Sequence, residues 1–159
     1  MKSGGARMLA GALSGLGGTA ALSVLRDASQ SVGLVSETAP QQVLERAKEL
    51  GFLDDLPERG EGLVTLAAHY GYGTSAGAAF GLLRRETGTL TDELATGAAL
   101  GVLAWAAGWA FWLPLTGIHS SPWTQKTPRV LLPILDHAAF GAAWGCLYFI
   151  LRENEEPGD

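Results

Sequence analysis

Cysteine is nearly absent: Cys146 stands alone in 159 residues, so no internal disulfide can form and the residue reads as a small apolar filler. Charge is scarce too, with 11 Lys and Arg, 16 Asp and Glu, and a net charge of -5. That acidic balance excludes a nucleic-acid surface and a polybasic grip on anionic lipid. Most of the acid lies between Arg26 and Glu61, where eight carboxylates face four cations. No Ser, Thr or Cys has a base at motif spacing, so a hydrolase is not indicated. Nor do the glycines form a phosphate loop: no strand pattern precedes them, and no Lys-Ser or Lys-Thr pair follows at motif spacing.

What remains is apolar, 47% of the chain, and it is concentrated. Four stretches are nearly free of charge: Met8 to Leu25, Gly62 to Leu83, Leu94 to Gly117 and Val130 to Leu151. Each approaches the roughly 20 residues that carry a helix across about 30 Å of hydrocarbon. A helix that is apolar all round has no side to show water. The expectation is an all-α, multi-pass membrane protein with the bilayer as its partner. One four-span domain covers residues 1–152, and a disordered acidic tail covers 153–159.

The first stretch, "MLAGALSGLGGTAALSVL" behind Lys2 and Arg7, also has the form of a secretory signal peptide. Its retention is expected because it completes a repeat. Between the first two spans, "PQQVLERAKEL" (residues 40–50) reads as an amphipathic interfacial helix. Val43, Leu44, Ala47 and Leu50 share one side, Thr38 and Gln41 form a capping box, and Gly51 is the stop. "RRETGTLTDE" makes the second and third spans a hairpin, with Thr89 or Thr91 as cap and Asp92 and Glu93 at the positive helix end. After the third span an irregular loop carries Pro114, Pro122 and Pro128, with Trp123 as an interfacial anchor. Lys and Arg near the span ends lean toward both termini in the cytoplasm.

The repeat is written in "HYGYGTSAGAAFGLLRR" (His69 to Arg85) and "HAAFGAAWGCLYFILRE" (His137 to Glu153). Both follow one formula: His, three residues, Gly, three, Gly, two, an aromatic, two, Leu, Arg. The second and fourth spans must run the same way, so His69 and His137 share a depth, about 10 Å along each helix from its start. Two helix hairpins related by a pseudo-twofold axis along the membrane normal are expected. Steps of four place Gly73, Gly77 and Gly81 on one ridge and Gly141 and Gly145 on another. Gly11 and Gly15 form a row on the first span, and Gly97 and Gly101 on the third. Such ridges let backbones meet closely in lipid, so they are the expected helix-packing seams.

Within hydrocarbon, ionisable side chains are functional candidates. His69, Asp136 and His137 form the candidate polar cluster, with Asp136 needing a partner on another helix, His69 first and Tyr70, Tyr72 or Thr65 as neutral alternatives. Register-fixing hydrogen bonds are the plain reading. A proton relay, a haem held between the two imidazoles, or a transition metal on all three residues are the chemical ones. No resident cofactor and no protein metal site are assigned. Trp105 and Trp109, with Trp144 on the fourth span, are candidate pocket aromatics beside their role as filler.

Together the small-residue first span, the loop helix, the first His phrase, the Trp-rich third span ending "WLPLTG" and the closing "DHAAFGAAWGCLYFILR" resemble the YagU-like family of small four-helix bacterial inner-membrane proteins. That family often has Tyr before the Gly of the second phrase, where this chain has Phe140. The resemblance implies a multi-pass protein of the bacterial cytoplasmic membrane and carries over no catalytic residue. The functional expectation is a non-enzymatic protein that assembles through its Gly ridges, as a homo-oligomer or with a membrane-protein partner. A proton-coupled or small-solute transport element is the alternative, and a bis-His haem subunit the second.

Overall fold

A computed structural model describes residues 3–33, 39–53, 57–84, 86, 88–125 and 127–153. Thr38 of the capping box and tail residues 154–159 lie outside the described residues. Among those described, every regular element is helical: α1 (Gly4–Ser31), α2 (Ala39–Glu49), α3 (Glu58–Leu83), α4 (Leu90–Leu115) and α5 (Thr127–Glu153), with a 3-10 turn at Pro122–Thr124.

Local chemistry sets the ends. Ser3 Oγ accepts from the Ala6 N–H and opens α1. The helix runs past Arg26, because a charged residue that keeps helical geometry is no stop; the chain turns only at Gly33, whose φ of 73° suits glycine. Gly51 (φ 76°) ends α2 in the same way. At α4 the cap is Thr89: its hydroxyl accepts from the Asp92 N–H at 3.2 Å, while the Asp92 carboxylate accepts from the Thr89 N–H at 2.9 Å. Asp92 and Glu93 both stand in the first turn of α4, as expected, and Glu93 does more. It is fully buried and accepts from Arg84 at 2.8 Å and from the Gly88 N–H at 2.7 Å, clasping the α3–α4 turn. That hydrogen bond also holds the Arg84 guanidinium above its ordinary pKa.

Three helices are long and apolar enough to cross a membrane: α1, α4 and the Val130–Arg152 part of α5. The described α3 is as long but less apolar, because His69, Tyr70, Tyr72, Thr74 and Ser75 interrupt its aliphatics. Small and polar groups share the interior with an aromatic core, and many large apolar side chains face outward. Ser14 and Thr19 are buried, each hydroxyl donating to the carbonyl one turn back, whereas Leu9, Leu63, Leu83 and Phe111 are exposed.

α1 packs against α3 and α5, α4 packs against α5, and α2 lies on α3. The α1–α3 seam is antiparallel, and its glycines have no room for a side chain. A Cβ at Gly11 would strike the Gly77 carbonyl, at Gly15 that of Gly73, at Gly77 that of Gly11 and at Gly81 that of Arg7. The α4–α5 seam repeats this: Gly97 meets the Gly141 carbonyl, Gly101 that of His137, Gly141 that of Gly97 and Gly145 that of Glu93. Between the two hairpins sit Phe80, Trp144 and Tyr148, with Phe80 edge-on to both partners at 5.0 Å.

A closed twofold relating α1 to α4 and α3 to α5 would require α3–α4 contact to match that of α1 with α5. Among the described residues α3 and α4 form no comparable interface. Among the described residues the hairpins join chiefly through α1 and α5, and the side of α3 and α4 is left more open.

Candidate functional site

Part of that opening is a cavity of about 300 Å³. Its wall takes Thr19, Leu22 and Arg26 from α1, His69 and Tyr72 from α3, Trp109 and Trp112 from α4, and His137 and Phe140 from α5, with Val43 of α2 at one end. The volume falls at the lower end of the range of ~300–1,000 Å³ that holds small organic ligands.

The tryptophans arrive by a break in helix geometry. Residues Ala106–Trp112 form a π-helical segment inside α4, a wide turn that concentrates at functional sites. It changes the register after Trp105, so the tryptophans of α4 do not share one environment. Trp105 stays buried in the bundle, and Trp109 and Trp112 turn to the cavity. Trp144 fills the aromatic core beside Phe80. Of the three expected pocket aromatics, Trp109 alone lines this space, joined by Trp112, Phe140 and Tyr72.

Both histidines reach the cavity wall, and each is held by a hydrogen bond. His137 Nδ1 lies 2.7 Å from the Pro133 carbonyl of its own helix. A carbonyl only accepts, so Nδ1 carries the proton and a neutral ring keeps its lone pair on Nε2. His69 Nε2 lies 3.3 Å from Ser23 Oγ of α1, a hydroxyl that also lies 3.0 Å from the Thr19 carbonyl.

Asp136 is buried. The charge it interacts with is Arg26 of α1, so its electrostatic partner is a guanidinium and not the expected His69. Arg26 also interacts with both imidazoles. Sequence reasoning missed it by treating it as the polar flank of the first span. The signal was available: α1 has no breaker between Arg26 and Gly33, so the guanidinium stays on the helix.

His69, Asp136 and His137 do not form a metal cage: among the described residues no three His, Cys, Asp or Glu gather as a group that could hold an ion. Nε2 ligation of a haem would require His69 to give up Ser23. The expected packing residues Gly11, Gly15, Gly73, Gly77, Gly81, Gly97, Gly101, Gly141 and Gly145 each abut a neighbouring helix of this same chain. Comparison with protein-family models, with curated proteins and with solved structures finds no match.

Proposed function

We propose that this chain is a four-span protein of the bacterial cytoplasmic membrane, built from two repeated hairpins with both termini in the cytoplasm, and that it binds or passes a small solute through the chamber between α3 and α4. The YagU-like resemblance belongs to this proposal. In support of a fourth crossing, α3 carries no Lys, Arg, Asp or Glu between Glu61 and Arg84 and exposes Leu63, Leu82 and Leu83. The matched glycine contacts of the two seams support the repeat.

One observation carries the functional reading: His69 and His137 line one chamber, at the place where the described residues form no extensive α3–α4 interface. Assembly through the glycine ridges is less well supported, because those ridges are already used within the chain. A chamber walled by indoles, phenyl and two imidazoles suits a small, mainly apolar molecule with one polar group.

Octanol binding to the full chain in nonionic detergent tests this. Saturable change of tryptophan fluorescence is expected, and it should vanish when Ala68→Trp or Ala104→Trp fills the chamber. Octanol binding that survives both substitutions, or no saturable binding at all, would overturn the reading.

A further inference from the structure

Arg26 stands at a junction. It lines the apolar chamber and also a second cavity of about 460 Å³, a vestibule beside α2 whose wall includes Ser23, Gln41, Glu45 and Thr65. Among the described residues no Lys, Asp or Glu lines the chamber, and Arg26 is the one permanently charged lining residue. Among the described residues its guanidinium has no hydrogen-bonded or ion-paired partner. Asp136 balances it at longer range and does not line the chamber. Up to five N–H donors in a rigid fork are thus left at the mouth of an aromatic pocket, in a geometry matched to carboxylate or phosphate.

Taking the solute-binding reading as its basis, we infer that the chamber holds an amphipathic anion, with a compact carboxylate or phosphate head at Arg26 and a short apolar tail among Trp109, Trp112 and Phe140. The vestibule's own carboxylates do not reverse this preference. Glu61 is paired with Lys48 at 2.7 Å, and Asp27 and Glu45 are exposed, where water and salt screen them. Arg26 is the charge that touches the apolar space. Its pairing with a head group takes place beside low-dielectric walls, which strengthens a charge-assisted hydrogen bond. The small volume selects a short or single chain over a two-chain lipid.

The test compares octanoate, octyl phosphate, octanol, octylammonium and inorganic phosphate on the full chain in nonionic detergent. Both tailed anions should bind about tenfold or more tightly than octanol, and octylammonium more weakly. Inorganic phosphate should compete poorly because it has no tail. Octanoate against octyl phosphate tells which head the site prefers. Arg26→Gln should bring both anions down to that variant's own octanol value, and Arg26→Lys should restore part of the preference. Equal binding of anion and octanol by the wild-type chain, or an anion preference that survives in Arg26→Gln, would overturn the head-group assignment and leave the solute chamber standing. Inorganic phosphate competing as well as octyl phosphate would overturn the tail. Should Arg26→Gln no longer bind octanol, the wild-type ranking decides alone. Absence of binding by every probe removes the chamber reading as well.

Discussion

At the scale of single residues, glycine has two meanings in this chain, and only contact separates them. Gly15 and Gly97 each face the carbonyl of a neighbouring helix, whereas Gly62 and Gly71 have nothing within 4 Å of a built Cβ. The same chemical change should therefore carry opposite signs. Gly15→Ala or Gly97→Ala forces the seam apart and should cost about 1–3 kcal/mol. Gly71→Ala only improves helix propensity and should be neutral or stabilising by up to ~1 kcal/mol. The midpoint of SDS unfolding in mixed micelles reads both. Equal effects at Gly15 and Gly71 would mean that the seams are not close-packed. The histidines teach a similar lesson: His137 bonds the Pro133 carbonyl of its own helix, whereas His69 bonds Ser23 of α1.

At the scale of elements, α4 carries the most consequential irregularity. The π-segment at Ala106–Trp112 gives Trp109 and Trp112 a different direction from Trp105. Deleting Ala107 should convert the wide turn to α-helix and rotate everything after it by about 100°. Octanol-induced fluorescence change should then be lost, while the SDS midpoint stays near that of the intact chain, because the Gly97 and Gly101 seam lies before the deletion. A deletion variant that binds octanol normally would show that the π-turn does not aim these indoles. Spacing alone could not reveal it, since steps of four and three also describe a regular α-helix. The amphipathic loop helix was legible, from its apolar side and from Gly51 at its end. Its site on α3 was not.

For the whole molecule, the proposed topology puts the N-terminus and the α3–α4 turn on one side of the membrane, and the α1–α2 and α4–α5 connections on the other. In a Cys146→Ala background, Ser3→Cys and Gly88→Cys should react with an impermeant maleimide from one side of sealed vesicles, and Gly33→Cys and Ser120→Cys from the opposite side. Labelling of Gly33→Cys and Gly88→Cys from the same side would mean that α3 does not cross. The single native cysteine makes the experiment clean. The outward apolar faces and inward small residues are what a bundle needs when lipid removes the hydrophobic force between helices and leaves packing in its place.

The sequence by itself determined the helices, their approximate ends, the seam glycines and the apolar lengths of α1, α4 and α5. These follow from local periodicity, capping chemistry and the absence of charge, all of which act over a few turns. Tertiary structure alone decided that the hairpins join chiefly through α1 and α5, and that Arg26 is the charge answering Asp136. It also decided that the indoles of the chamber are Trp109 and Trp112. Those outcomes depend on which surfaces meet across distant parts of the chain. A repeated phrase states what each hairpin contains, while the fit of one hairpin against the other determines where the space between them is left.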